Sequence, residues 1–181
     1  MHTSFTRRRA PLEHGYSYTR AQKGLEGLTL LITLGTLLAL ALVLPRLPAQ
    51  VPLHWGTDGK PNRYGGPLEL VGLSALMLAV CLGFSLLVWR LHRFWPYIKN
   101  VPDETVLERD PRRAYLGIRT VLMGVRLFVC AAFALAVLQS LLTFGGHLAD
   151  FFWVFPFLML SLFILLGFWA FHFATPPSSS Q

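Results

Sequence analysis

Leu47-Pro-Ala-Gln-Val-Pro-Leu-His-Trp-Gly-Thr-Asp-Gly-Lys-Pro-Asn-Arg-Tyr-Gly-Gly-Pro67 is a polar, turn-rich stretch lying between two segments apolar enough to cross a bilayer. Pro45 and Pro48 remove backbone donors and hold the preceding residues extended, so a helix entering from the N-terminal side must stop here. Val51, Leu53 and Trp55 then alternate with Pro52 and His54, and Asp58-Gly59 supplies a tight turn. The pattern predicts a short extended arm that turns back as a hairpin. Pro67 suits the first position of a second helix, and Glu69 places a carboxylate against the unpaired amides of its first turn.

The rest of the chain explains why such a loop is conspicuous. Of 181 residues, 54% are apolar and 14% charged, and the mean hydropathy is +0.50. That is too apolar for a soluble domain of this size, and the apolar residues come in blocks. A hydrocarbon core about 30 Å thick needs roughly 20 apolar helical residues. Four stretches qualify: residues 24–44, 67–91, 117–142 and 151–171. The expected fold is an all-α integral membrane protein with four transmembrane helices and a short extracytoplasmic hairpin between helices one and two. Residues 1–20 form a basic cytoplasmic arm, 21–174 one membrane domain and 175–181 a polar, disordered tail.

Arg7, Arg8, Arg9, Arg20 and Lys23 precede the first span, but its apolar part is longer than a signal-peptide core and Pro45-Arg46-Leu47-Pro48 is no small-x-small cleavage site. It is expected to be retained. Seven further cations lie between Arg90 and Arg119, three in the His54 loop and none in residues 144–150. Positive-inside logic puts both termini and the middle loop in the cytoplasm and the His54 loop outside. The net charge of +7 is thereby assigned to anionic lipid headgroups; no basic nucleic-acid motif is present.

Helix packing is expected along small-residue stripes, Ala75, Ala79 and Gly83 on helix two and Gly35 and Ala39 on helix one. Asp110-Pro111 reads as the cap and first residue of helix three. From Pro111 to Leu142 that helix would run roughly 48 Å at 1.5 Å per residue, so its first turns should protrude, tilt or lie against headgroups. Helix four is apolar nearly all round, which suits lipid or a subunit contact in a homo-oligomer. Cys81 and Cys130 fall within spans, where thiols act as small apolar side chains, and no disulfide framework is implied.

Leu47-Pro48, Pro52, His54-Trp55, Gly59 and Pro61 resemble the loop signature of the SdpI-like family of bacterial membrane proteins, with Asn62 where an aspartate is common. The best-known members of that family act as immunity proteins against a secreted toxin and as signalling partners of a repressor. The resemblance implies a bacterial inner-membrane protein that recognises a secreted peptide, a lipid or a membrane-protein partner without catalysis. The additional helices of the familiar immunity members are not recognisable here.

The candidate binding residues are His54, Trp55, Asp58, Gly59, Arg63 and Arg126. His54 either pins the hairpin through a hydrogen bond or acts as a ligand or proton site with Asp58, Glu69, His147 and Asp150, since histidine and carboxylates are usual zinc ligands. No His-x-x-x-His pair exists, so no metal or other cofactor is expected. Arg126 lies within the apolar run of helix three, roughly 10 Å beyond Arg119 along the axis. It either snorkels to the inner headgroups or meets a buried partner such as Glu26. Gln139, Ser140 and Thr143 are expected to bond between helices or to headgroups. The rival functions are a metal-dependent membrane enzyme built on His54 and a transporter subunit. No nucleophile motif, phosphate loop or catalytic carboxylate pair supports the first. No acidic residue deep in a span supports the second.

Overall fold

The computed structural model describes residues 17–56, 60–94 and 111–144, together with Phe157, Ser161 and Ile164. Helix α1 is Arg20–Val43, followed by a 3-10 turn at Leu44–Arg46, strands β1 (Val51–Trp55) and β2 (Pro61–Gly65), helix α2 (Pro67–Phe94) and helix α3 (Pro111–Phe144). All three helices are long and apolar enough to cross a membrane. The expected fourth span lies outside the described residues except for three helical positions.

Local chemistry explains the ends. Thr19 caps α1 with a reciprocal capping box: its side chain accepts from the Gln22 amide, and the Gln22 side chain accepts from the Thr19 amide. Pro45 converts the last turn to 3-10 geometry, closed by the Leu47 amide on the Leu44 carbonyl at 3.3 Å. Pro67 opens α2 with Glu69 in its first turn, and α3 begins at Pro111.

The helices are turned inside out relative to a soluble bundle. On α1 the positions facing the other helices are Gln22, Glu26, Thr29, Thr33, Thr36 and Leu40, whereas Leu31, Leu34 and Leu38 are more than 60% exposed. Lipid tails are as apolar as leucine, so leucine gains nothing by facing a neighbour; polar and compact side chains gain contact and hydrogen bonds there. The alternating spacing of four and three residues is that of a seam in a left-handed helix pair. Thr29 and Thr36 satisfy their hydroxyls on the Leu25 and Ile32 carbonyls of their own helix.

Helix α3 is the centre. It packs along both α1 and α2, which touch each other less. Its buried positions run from Tyr115 and Arg119 through Met123, Arg126, Cys130, Ala134 and Val137 to Ser140 and Leu141. Helix α2 answers with Leu70, Ser74, Met77, Cys81, Val88 and Leu91.

Of the small-residue stripes expected from sequence, Ala39 packs against the buried cluster around Leu40 and Val51, and the other positions are a correction. Ala75, Ala79, Gly83 and Gly35 are exposed, and a Cβ built at Gly35 or Gly83 would meet nothing within 4 Å. Ser74, Met77 and Cys81 are the buried positions on this stretch of α2, and Met77 and Cys81 share a cluster with Cys130 and Ala134 of α3. Ser140 and Thr143 also differ from expectation: both donate to carbonyls of α3 itself, Ala136 and Gln139.

Candidate functional site

Two groups of residues stand out, one at the loop end of the bundle and one in its interior. At the loop end, β1 and β2 pair antiparallel, with Val51 opposite Gly65, Pro52 opposite Tyr64, His54 opposite Arg63 and Trp55 opposite Pro61. The register slips on both sides of His54, which locally re-aims its side chain. The Gly56 amide bonds to the Lys60 carbonyl at 2.9 Å and closes the far end. Thr57, Asp58 and Gly59 lie outside the described residues.

One face of this ribbon is a seat. Val51 is 0% exposed and shares a cluster with Leu40 of α1, Leu70 of α2 and Val137 and Leu141 of α3. Leu47 and Leu53 pack around it. A single strand residue thus shares one buried cluster with residues of all three helices. Gly65 is held by the same closeness: a Cβ there would overlap Glu69 Oε1 and Leu53 Cδ1. The other face is open. His54, Asn62, Arg63 and Tyr64 are exposed, and Tyr64 keeps 55% of its surface free. His54 Nδ1 and Asn62 Oδ1 are 2.6 Å apart, and Arg63 Nη2 donates to Glu69 Oε2 at 2.7 Å. The first bond spans the strands and the second ties β2 to the start of α2. Trp55 is half-buried.

The interior group is built on two arginines of α3. Arg126 is 1% exposed; its Nη2 donates to Glu26 Oε2 at 2.5 Å and its Nη1 to Ser85 Oγ at 2.6 Å. Ser85 passes its own hydrogen to the Cys81 carbonyl at 2.8 Å. Arg126 Nε is buried with no hydrogen-bond partner among the described residues. Seven residues earlier, Arg119 gives Nε and Nη2 to Gln22 Oε1 at 3.1 and 2.6 Å, and Nη2 also to the Ser17 carbonyl at 2.8 Å. Its guanidinium lies 4.4 Å from the centre of the Tyr18 ring and 5.4 Å from that of Tyr115, within cation–π range. Gln22 returns Nε2 to the Leu116 carbonyl and Thr120 Oγ1, both at 2.9 Å.

Depth gives these contacts their weight. Along the span Tyr115–Phe144, Arg126 sits about 16 Å from one end and about 27 Å from the other at 1.5 Å per residue. A cation this far from the ends costs about 2.5 to 3.5 kcal/mol on insertion scales unless paired, and pairing is what the bundle supplies. Of the two outcomes open for Arg126, the structure takes the buried partner on α1.

The candidates named from sequence therefore separate. His54, Trp55 and Arg63 share the ribbon, whereas Arg126 lies about 16 Å along α3 from Val137 beneath that ribbon. Asp58, Gly59, His147 and Asp150 lie outside the described residues. Among the described residues no three His, Cys, Asp or Glu side chains gather as a metal group. Gln22, Ser85 and Tyr64 belong to these sites without having been singled out. The Thr19-x-x-Gln22 capping box was the visible signal for Gln22; for Ser85 the signal was a hydroxyl inside an otherwise apolar run.

Residues 31–78 match the family model described as a domain of unknown function, DUF1648. The matched window begins in α1, takes in the whole ribbon and ends in α2, so its centre is the seat formed around Val51. The chain matches no curated protein and no solved structure. Three helices long and apolar enough to span a membrane fit a membrane protein.

Proposed function

We propose that this is a nonenzymatic four-helix protein of the bacterial inner membrane whose ribbon recognises a peptide, lipid or protein partner on the outer face. Both termini are cytoplasmic in this reading. The observation that carries it is the uneven burial of the ribbon: Val51 shares a buried cluster with residues of all three helices while His54, Arg63 and Tyr64 are exposed. A partner pressing on the open face would load the Val51 seat, and α1, α2 and α3 would all register it. Binding would thereby become a change in helix packing, the form of output a signalling or immunity subunit needs.

Three further observations support the reading. The charge distribution along the chain supports an outer position for the ribbon under the positive-inside rule. The DUF1648 match is centred on the ribbon. The loop motif resembles that of SdpI-like proteins, which brings immunity or signalling as the specific form of recognition. At the inner end, Arg90 and Arg93 flank Trp89 at 5.7 and 6.0 Å from its ring centre, a grouping suited to anionic headgroups.

A photocrosslinking residue in place of Tyr64, compared with one at lipid-exposed Leu31, tests this in cells. The expected outcome is a discrete adduct from position 64 that His54→Ala abolishes. Adducts to bulk lipid alone from both positions would overturn recognition by the ribbon.

A further inference from the structure

The polar seam contains a second, unassigned grouping nearer the middle of the bundle. Cys81 on α2 and Cys130 on α3 are free thiols, 4% and 0% exposed, and they share one buried cluster with Met77 and Ala134. Met77 is wholly buried and stands one helical turn from Cys81 on the same face of α2. Thr33 of α1 donates its hydroxyl to Cys81 Sγ at 3.9 Å. Ile32, Leu37 and Phe133 close the surroundings with hydrocarbon. Three sulfur-bearing side chains from two helices therefore share one buried cluster.

The ligand set narrows the occupant. Thiolate and thioether sulfur select soft cations such as copper(I), and a thioether contributes little to harder ions. Structural zinc takes four nitrogen or sulfur ligands, commonly with histidine. Among the described residues no histidine or carboxylate joins the two cysteines in a metal-holding group. We propose that Cys81, Cys130 and Met77 form a binding site for one soft monovalent cation of the copper(I) class, with Cys81 and Cys130 as thiolates and Met77 as a neutral third ligand.

The step balances without redox chemistry. Each thiol exchanges its proton for a bond to the metal, two protons leave, and the copper remains in the +1 state. The bound unit carries one net negative charge. Arg126, one turn before Cys130 on α3, supplies a cation beside it, and Ser85 links that guanidinium to the Cys81 carbonyl. The site is independent of the ribbon, so its failure leaves the recognition reading standing and the converse also holds.

The test is an anaerobic titration of the full-length protein in detergent with copper(I), against a chelating competitor of known affinity. It uses the wild type, Cys81→Ser, Cys130→Ser and Met77→Leu. One copper(I) per chain is expected to resist the competitor, to be lost in either serine variant and to be held about tenfold more weakly in Met77→Leu, a swap that conserves volume. X-ray absorption at the copper edge of the wild-type complex needs no variant and is expected to show a first shell of sulfur alone. Failure of the wild type to retain copper(I), retention undiminished in both serine variants, a nitrogen or oxygen first shell, or equal retention of zinc(II) would each overturn the assignment.

Discussion

Arg126 on α3 and Glu26 on α1 meet at 2.5 Å across one hundred residues of sequence. The same guanidinium reaches Ser85 on α2, so one buried cation ties the central helix to both of its neighbours. The pair is unequal: the Arg126 side chain is 1% exposed and that of Glu26 36%. Arginine is the partner that the interior must satisfy, and Glu26 is the one that can still see its surroundings.

Arg126→Ala is expected to lower the unfolding free energy by about 2–4 kcal/mol, the range for breaking a buried pair, reduced because the remaining carboxylate is partly exposed. Glu26→Gln keeps an acceptor and should cost about 1 kcal/mol. Replacing both residues with Met and Leu should recover much of the Arg126→Ala loss, because no charge is then left unpaired. Unfolding in mixed micelles, run as a double-mutant cycle, measures the coupling. Additive single losses would show that the contact carries no pairwise energy.

Gln22 makes the equivalent junction nearer the α1 N-terminus, with its carbonyl serving Arg119 and the Thr19 amide and its amide serving α3. Gln22→Ala removes all of these at a buried site and should destabilise the protein by about 2–3 kcal/mol. Gln22→Glu keeps the acceptor for Arg119 and should be the milder change. Hydrogen exchange is the readout: amides at the start of α1 lose protection in Gln22→Ala, since the capping box and the interhelical contacts go together.

Val51→Ala opens a cavity where five buried side chains meet and is expected to cost about 1–2 kcal/mol. Its signature is local, with faster exchange at the ribbon amides and little change at the Arg119 end of the bundle. Arg63→Ala is the contrasting variant. Its ion pair with Glu69 is 65% and 46% exposed, so the loss should stay below about 1 kcal/mol.

Three spans were legible in sequence because lipid demands runs of about 20 apolar residues and the prolines at 45 and 67 mark helix ends. Which face of each helix packs inward was much less legible. In a soluble helix apolar periodicity points to the core, but a membrane helix is apolar on both faces and the inward stripe is marked by weaker signals. Thr29, Thr33 and Thr36 are that stripe on α1, while the small residues Ala75, Ala79 and Gly83 point outward. Arg126 and Glu26 were readable as possible partners because ionisable groups inside spans are few and need each other. The irregular register at His54 was not readable, since alternation alone implies an unbroken strand.

Native mass spectrometry of the protein purified in a mild detergent, beside its His54→Ala variant, bears most directly on recognition by the ribbon. The expected spectra show a discrete bound protein, peptide or lipid on the wild type that is absent from the variant, with both retaining the same fold. A partner held equally by both proteins, or two identical bare spectra, would contradict the claim that the open face of the ribbon is the recognition surface.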